Sequence, residues 1–136
     1  MTRFTLMKII LILISTIAIL YIDPSYEVPY ARIENAFNTN DAKTIISFGK
    51  ERILLKILDK EGGYSQTQAA LILQDFFTKK PKGHFTYTYK GIESEECVFC
   101  MGLYTFKNEK YKISFHFKNM KTAYQFESLN IILEKN

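Results

Sequence analysis

Tryptophan is absent from this chain of 136 residues, and cysteine and histidine occur only twice each. A zinc site built on the two cysteines would need two further ligands. Only His84 and His116 are available, and neither has a finger-like spacing from Cys97 and Cys100. No serine or cysteine has a histidine and an acid in a readable catalytic arrangement. The sequence therefore predicts no metal site, no cofactor and no catalytic residue.

A basic stripe with interleaved aromatic residues is also missing. The chain has 18 basic and 14 acidic residues, and most of its lysines are scattered among acids. The one cluster, Lys79, Lys80 and Lys82, is explained by the C-terminal end of a helix, where cations are favourable. We therefore predict that the chain has no nucleic-acid partner.

Apolar and aromatic residues are plentiful, at 47% and 15% of the chain. This length suits one domain with a single core, and the composition is not that of a disordered chain. There are no internal repeats, linkers or low-complexity tracts. We predict a single domain over residues 26–136.

The first 25 residues are typical of an export signal. Arg3 and Lys8 precede an almost unbroken apolar run at residues 9–22. About 14 residues in a helix span about 21 Å, which is short of the roughly 30 Å of a bilayer core, so a signal peptide is favoured over a stable transmembrane helix. No A-x-A triplet follows the run, and an uncleaved N-terminal anchor is therefore the alternative. We expect an exported protein, periplasmic or secreted, whose only membrane contact would be this segment.

Residues 64–77, YSQTQAALILQDFF, form the best-marked helix. Ser65 and Gln68 make an S-x-x-Q capping box, and Pro81 with Gly83 ends the helix. An apolar stripe follows the helical period through Ala69, Ile72, Leu73, Phe76 and Phe77. Two shorter helices are predicted before it, at residues 26–38 and from Asn40 or Asp41 to Gly49.

The second half of the chain changes to a period of two, which indicates strands. Residues 51–59 fit a helix or a strand. Gly49 before them and a predicted turn at Glu61, Gly62 and Gly63 after them favour a strand. Further strands are predicted at residues 84–90, 97–106, 111–118 and 123–133. In the first of them Phe85, Tyr87 and Tyr89 alternate with polar residues and would share one face. In the last strand Tyr124 and Phe126 have one parity and Leu129, Ile131 and Leu133 the other, which predicts a β-bulge at Glu127 and Ser128.

The predicted order is α-α-β-α-β-β-β-β. This order indicates an α+β domain in which the N-terminal helices pack on a strongly curved antiparallel sheet and form a cone. The cone would leave a cavity between the sheet and the helix of residues 64–77. The side chains expected to line this cavity are bulky, which predicts a filled or nearly filled interior. They are Ile72, Leu73, Phe76 and Phe77 from the helix and Phe85, Tyr87, Ile113, Phe115 and Phe126 from the sheet.

Cys97 and Cys100 form the one motif with a chemical name, C-x-x-C. In an extended strand these positions point to opposite faces with Cα atoms about 10 Å apart, whereas a disulfide needs Cα atoms within about 7 Å. A redox C-x-x-C motif stands at the start of a helix, and no helix pattern follows this pair. Ordinary strand residues are therefore predicted, and a disulfide would form only if residues 95–100 turned.

Three segments carry a resemblance to a known family. They are the first helices with Ile33, Ala36, Phe37, Asn38 and Asp41, the segment YSQTQAALILQDFF with Pro81, and MGLYTF at residues 101–106. Together they resemble the exported bacterial family called domain of unknown function 4783, over about residues 30–133. The resemblance implies the nuclear-transport-factor-2-like (NTF2-like) superfamily, which includes isomerases, dehydratases, binding modules and scaffolds. It implies a fold and no activity, and the cysteine pair departs from the family pattern.

The sequence leaves three functions open. The favoured hypothesis is a non-catalytic module that binds a small apolar ligand or a protein. The candidate pocket residues are Phe76, Phe77, Tyr87, Tyr104, Phe115 and Phe126. The second is an isomerase or dehydratase with a buried carboxylate, for which Asp75 or Glu127 is available, with hydroxyl donors among Tyr87, Tyr89, Tyr104, Tyr111 and Tyr124. The third is a structural homodimer formed through the open face of the sheet.

Overall fold

The computed structural model describes residues 27–135, together with Arg3 and Thr5. The predicted signal segment, residues 1–25, lies outside the described residues apart from those two positions. Within the described part, no helix combines the length and the apolar character needed to cross a membrane.

Three helices and six strands follow one another in the described residues. The helices are α1 (Tyr30–Asn38), α2 (Ala42–Ser47) and α3 (Gln66–Lys79), and the strands are β1 (Gly49–Ile57), β2 (Lys60–Ser65), β3 (His84–Ile92), β4 (Cys97–Phe106), β5 (Glu109–Asn119) and β6 (Tyr124–Leu133). The strands form one sheet in the order β2-β1-β6-β5-β4-β3. All neighbours are antiparallel except β1 and β6, which run parallel. The predicted α+β fold class is confirmed.

One strand is additional to the predicted order. Residues 60–65 were expected to include a turn at Gly62 and Gly63, but they form β2, which pairs with β1. The chain reverses earlier, at Leu58 and Asp59, where Leu58 has a φ of 55°. Leucine is uncommon in this left-handed region, whereas glycine adopts it readily. The sequence therefore indicated Gly62 and Gly63, and not Leu58, as the turn. The predicted strand at residues 51–59 is β1, shifted by two residues.

The capping box of α3 is confirmed by its hydrogen bonds. The Ser65 hydroxyl accepts from the Gln68 backbone N–H at 3.3 Å, and the Gln68 side chain accepts from the Ser65 backbone N–H at 3.2 Å. These bonds satisfy two backbone donors that would otherwise lack a partner at the start of the helix. Ala69, Leu73, Phe76 and Phe77 are buried, whereas Ile72 from the predicted stripe is only half-buried.

The predicted bulge in the last strand is also confirmed. Phe117 of β5 pairs with Phe126, and the preceding residue, His116, pairs with Ser128. Glu127 is therefore the extra residue of β6. The bulge keeps Phe126 and Leu129 on the buried face although their sequence parity differs. Leu133, which was expected to face the core, is exposed because it lies at the end of the strand.

A second bulge was not predicted. In β3, Tyr87 pairs with Gly102 and Tyr89 pairs with Met101, which leaves Thr88 as the extra residue. The expected alternation placed Phe85, Tyr87 and Tyr89 on one face, and the bulge turns Tyr89 to the other face. The sequence of β3 is aromatic on both sides of Thr88, so its hydrophobic pattern contains no phase slip that would reveal the bulge.

Asp41 is the N-cap of α2. Its carboxylate accepts from the Thr44 hydroxyl at 2.6 Å and from the Thr44 backbone N–H at 3.1 Å. These hydrogen bonds, that of the hydroxyl first, hold the pKa of the Asp41 carboxyl below its usual value. The cap therefore contributes stability above the unfolded pKa of about 4, and this contribution is lost as the pH falls through the lower folded pKa.

We expect Asp41→Ala to lower the free energy of unfolding by about 1 kcal/mol at neutral pH, because alanine cannot cap the helix. Asp41→Asn is the matched control, since asparagine caps about equally well and does not titrate. Urea unfolding at pH 7 and at pH 3 would measure both variants. The assignment of the cap is wrong if alanine and asparagine are equally stable at pH 7.

Candidate functional site

The six predicted pocket residues are brought together in the interior of the cone. Five of them are buried, namely Phe76, Phe77, Tyr104, Phe115 and Phe126, and Tyr87 is half-buried at the rim. Their rings pack on one another and on Phe37 of α1, which contacts Phe77 at 5.7 Å and Phe115 at 6.0 Å between ring centroids. These residues are therefore packed as core in this structure, and ligand entry between them stays a prediction.

The two tyrosine hydroxyls among them are occupied by protein partners. Tyr104 donates to the Lys80 carbonyl at 2.6 Å, and Tyr87 donates to the Tyr30 carbonyl at 2.8 Å. Burial raises the pKa of Tyr87 far above its ordinary value, so the hydroxyl remains protonated. Both groups hold chain segments together, which is a structural role.

The two candidate carboxylates lie at the surface of the molecule. Asp75 forms an i,i+4 ion pair with Lys79 at 3.0 Å, and both side chains are exposed. Glu127, at the bulge, is 3.2 Å from the Lys50 ammonium. Among the described residues none of the buried side chains is charged, and these positions provide no acid inside the cone.

The C-x-x-C cysteines are free and point to opposite faces of β4, as the strand geometry predicted. Cys100 is buried in the core, and burial raises the pKa of its thiol to about 12. A thiol with this pKa stays protonated and is a poor nucleophile at neutral pH. Cys97 is half-exposed on the other face.

The face of the sheet opposite the helices is free of any described helix. We call it the outer face, and its central residues are Leu54 and Lys56 of β1, Tyr89 of β3, Phe99, Met101 and Leu103 of β4, Ser114 and His116 of β5, and Ser128 and Asn130 of β6. The helices contact β1, β2 and β3 from the other side. Residues 27–135 therefore place no helix over this face of the six strands.

An apolar patch lies on β3 and β4 at one side of this face. We call Tyr89, Phe99 and Met101 the aromatic patch; Tyr89 is 52% and Met101 38% exposed. The rings of Tyr89 and Phe99 are 6.2 Å apart, and the Tyr89 ring lies directly over Gly91, where a Cβ atom would meet its hydroxyl. The glycine thus leaves room for the Tyr89 ring beside Phe99, with the two ring planes 48° apart. Exposed aromatic and methionine side chains of this kind are typical of protein interfaces.

A shallow depression of about 240 Å³ lies at the other side of the outer face, over β1 and β2. It is lined by Leu54, Lys56, Glu61, Gly63 and Asn130 together with neighbouring residues of the same strands. Gly63 has no side chain, and the nearest atoms to a Cβ there belong to the flexible Arg52 guanidinium, at 3.2 Å. The depression exists because β2 places a glycine on this face.

His116 is at the centre of a polar cluster at one end of the outer face. Its Nε2 is 2.5 Å from Glu93 Oε2, and its Nδ1 is 3.9 Å from Glu127 Oε1. The ring also contacts Phe99 edge-to-face at 5.9 Å. The cluster ties the acidic loop after β3 and the β6 bulge to β5, and its carboxylates are half-exposed, which is typical of a surface ion-pair network.

A groove of about 550 Å³ lies on the helical side, between α2 and α3. Its walls carry amide and hydroxyl side chains, among them Gln66, Thr67 and Gln74, and Leu71 is 68% exposed at its edge. Lys43 is the charged residue of its lining. The groove is open, and none of the six predicted pocket residues belongs to it.

The outer face was not among the predicted site residues, although one signal in the sequence points to it. A sheet with one wet face alternates apolar and polar residues, yet β4 is apolar in both parities, with Phe99, Met101 and Leu103 between Val98, Cys100 and Tyr104. Strands that are apolar on both sides are typical of sheets covered on both faces, so this pattern distinguishes the outer side of β4 from an ordinary wet face.

Comparison with known proteins agrees with this architecture. A family model described as Domain of unknown function (DUF4783) matches residues 30–131. The crystal structure of a DUF4783 family protein from Bacteroides ovatus ATCC 8483 superimposes with a TM-score of 0.72 at 18% identity, over 82% of this chain and 100% of that one. No curated protein matches the chain.

Two further structures are similar at the level of the fold. A ketosteroid isomerase-like protein from Erwinia carotovora atroseptica SCRI1043 has a TM-score of 0.62 at 13% identity, over 79% of this chain and 92% of that one. An ntf2-like protein of unknown function from Shewanella baltica OS155 has a TM-score of 0.61 at 8% identity, over 79% and 89%. At identities this low, the similarity shows a shared fold and no shared activity.

Proposed function

Because the chain belongs to the DUF4783 family, whose function is unknown, and has an NTF2-like fold, we propose a function from its surfaces: it is an exported, non-catalytic interaction module that binds a protein through the outer face of its sheet. The single observation that carries this proposal is the aromatic patch of Tyr89, Phe99 and Met101. Export is proposed from the composition of residues 1–25.

The chemistry of the outer face supports a protein as the partner. At its centre lie apolar side chains and the small polar residues Ser114, Ser128 and Asn130, with Lys56 and His116 beside them, while Lys112 and Lys118 lie toward its ends. Interfaces are depleted of charge at the core and polar at the rim, with aromatic residues and methionine enriched. The hollow on this face is the shallow depression over β1 and β2, which is open and would not enclose a small molecule.

The interior supports the alternatives less well. A small apolar ligand would have to separate rings that are in contact, such as Phe37 and Phe85 at 4.6 Å. An isomerase or dehydratase would need a carboxylate inside the cone, and Asp75 and Glu127 are paired with lysines at the surface. We therefore assign the binding role to the outer face.

Site-specific photo-crosslinking in the cells that naturally produce the protein tests this proposal. The full chain would carry p-benzoylphenylalanine at position 101 on the outer face or at position 71 on α3, where Leu71 is the matched exposed control. We expect a light-dependent adduct of one discrete mass from position 101 and none from position 71. Export predicts that this adduct is recovered outside the cytoplasmic fraction.

The absence of an adduct at position 101 would contradict the proposal, as would adducts that form only at position 71. Adducts of many masses at both positions would indicate random encounters and would equally count against a specific face.

A further inference from the structure

We propose that one end of the sheet docks on the surface of a bilayer that contains anionic phospholipids. We call this end the tip. It consists of the β1–β2 turn, the last turn of α3 with the residues that follow it, the β4–β5 hairpin and the end of β6, which are residues 58–60, 75–82, 106–112 and 132–135. The inference goes beyond the proposed function and uses a different surface of the molecule.

The fold brings the four segments of the tip together. The Leu58 backbone N–H donates to the Ile131 carbonyl at 2.9 Å, which places the β1–β2 turn beside the end of β6. The strands β5 and β6 stay paired up to this end. The Lys80 ammonium lies 2.8 Å from Glu109, which joins the end of α3 to the β4–β5 hairpin. The tip is therefore one surface built from distant parts of the chain.

Lysine is concentrated at the tip. The chain has 18 basic and 14 acidic residues, of which the tip holds eight and four, so that the remaining ten of each sign balance. The whole formal net charge of +4 therefore corresponds to the excess at this one end. The basic residues of the tip are Lys60, Lys79, Lys80, Lys82, Lys107, Lys110, Lys112 and Lys135, and its acids are Asp59, Asp75, Glu109 and Glu134.

Most of these lysines have no acidic partner. Three ion pairs, at 2.8–4.0 Å, join a lysine of the tip to an acid of the tip. The lysines that form no ion pair within residues 27–135 are Lys60, Lys82, Lys107, Lys110 and Lys135. All five are exposed. Each lysine that comes close to anionic lipid strengthens binding about fivefold, so five free ammonium groups on one surface favour an anionic bilayer.

Aliphatic side chains are exposed among these lysines. Ile132 and Leu133, at the end of β6, are each 42% exposed, and Leu58 is 37% exposed. Turns usually carry glycine or a small polar residue, whereas Leu58 places an apolar side chain at the β1–β2 turn with a φ of 55°. Apolar side chains can enter the boundary between headgroups and acyl chains while neighbouring lysines meet the phosphates.

The aromatic ring at the tip favours a bilayer over a nucleic acid. The Phe106 ring lies 5.2 Å from the Lys107 ammonium and 5.6 Å from that of Lys80. Its faces are therefore occupied by cations, whereas proteins that bind single strands stack bases on free aromatic faces. The hollow between the β1–β2 turn and α3 has about 60 Å³, which is too small for a ligand of ordinary size. A bilayer surface needs no pocket.

Docking through the tip leaves the outer face accessible. The strands run toward the tip, so that a bilayer would contact their ends and the aromatic patch would remain free for a protein. The acidic loop with Glu93, Glu95 and Glu96 lies at the opposite end of β4 and β5, where it would be directed away from anionic lipid. This membrane contact would be additional to any contact of residues 1–25.

The absence of tryptophan allows one introduced indole to report its own surroundings. Leu133→Trp places it at the tip, and Met120→Trp places it in the β5–β6 turn at the other end of the sheet, where Met120 is 40% exposed. Each variant is purified from the producing cells in the form that these cells contain. It is then mixed with vesicles of phosphatidylcholine with brominated acyl chains, with or without phosphatidylglycerol. We expect lipid quenching of Leu133→Trp when phosphatidylglycerol is present and no quenching of Met120→Trp.

Two charge variants at matched turns measure the role of the lysines, each made together with Leu133→Trp. Lys107 and Lys121 are exposed turn residues with φ values of 53° and 68°, a region that aspartate tolerates. Lys107→Asp should raise the lipid concentration for half-maximal quenching more than about tenfold, because it replaces attraction by repulsion. Lys121→Asp changes the net charge equally and should stay within about twofold. Circular dichroism would verify that both variants are folded.

The other outcomes contradict the proposal. If vesicles with phosphatidylglycerol do not quench Leu133→Trp, or quench Met120→Trp equally, the tip is not the docking surface. Equal changes in the two aspartate variants would indicate attraction by net charge alone. Binding of a short DNA duplex or of polyglutamate that depends on Lys107, without quenching by vesicles, would assign the tip to a nucleic acid or an acidic protein. Crosslinking at position 101 does not enter this test, so a failure of the proposed function is distinguishable from a failure of this inference.

Discussion

Replacing Phe37 with alanine is expected to lower the free energy of unfolding by about 3–5 kcal/mol. Phe37 is fully buried in α1 and stacks on Phe85 at 4.6 Å between ring centroids. It also contacts the rings of Phe77, Tyr104 and Phe115, so that it joins α1 to α3 and to the sheet. Alanine would remove these contacts and leave a void, because the surrounding strands cannot collapse onto it.

Urea unfolding followed by circular dichroism would measure this loss. Leu71→Ala is the matched control, since Leu71 is exposed on α3 and should change the free energy of unfolding by less than about 0.5 kcal/mol. A loss below about 1 kcal/mol for Phe37→Ala would mean that the interior is loosely packed.

The same variant distinguishes a filled cone from a ligand pocket. A void on the order of 100 Å³ lined by aromatic rings should stay dry and bind a small apolar probe such as benzene. We therefore expect benzene to raise the thermal midpoint of Phe37→Ala and to leave that of the original protein unchanged. Comparable stabilisation of both proteins would indicate that the interior already has room for a ligand, and the candidate pocket residues would then regain support.

Replacing Tyr104 with phenylalanine is expected to cost about 2–4 kcal/mol, although only one oxygen atom is removed. The hydroxyl donates to the Lys80 carbonyl at 2.6 Å and accepts from the Gly83 N–H at 2.9 Å and the Asn40 amide at 3.0 Å. It thus ties the loop after α1 and the connection between α3 and β3 to the sheet. Phenylalanine would remove the partner of the Lys80 carbonyl and of the Gly83 N–H at a partly buried site, while the Asn40 amide would keep its bond to the Phe37 carbonyl.

A double-mutant cycle with Asn40→Ala would measure how far the network acts as a unit. Asn40 also accepts from the Lys82 N–H at 2.8 Å, so each single variant loosens the same connection. We expect the double variant to be less destabilised than the sum of the two single variants by at least about 0.5 kcal/mol. Strict additivity would show that the hydroxyl acts independently of Asn40. Tyr64→Phe, at a half-buried position on β2, is the control for loss of a phenol oxygen.

Local patterns in the sequence predicted the elements whose signals lie within a few residues. The Ser65 and Gln68 capping box and the bulge at Glu127 and Ser128 were predicted, and the structure selects Asp41 from the two predicted caps, Asn40 and Asp41. Each depends on contacts between neighbours in the chain or on the parity of one strand. Such features are present in the unfolded chain as preferences, which is why they can be read without the fold.

Features that depend on pairing between distant strands were missed. The glycines at positions 62 and 63 have the composition of a turn, yet they pair with β1 because the chain reverses at Leu58. The Thr88 bulge leaves no mark in the aromatic pattern of β3 and follows from its register against β4. Register is a property of two strands together, and neither strand determines it alone.

The sequence by itself determined that this chain is an α+β domain with an aromatic core and no readable catalytic group, because periodicity and composition carry that information. The tertiary structure alone decided which aromatic residues are core and which form a surface. Phe115 and Phe99 are equally apolar in the sequence, but sheet pairing directs one toward the helices and the other to the open outer face. The aromatic patch exists because the register of β3 against β4 pairs Tyr89 with Met101 and Gly91 with Phe99, and that register belongs to the two strands together.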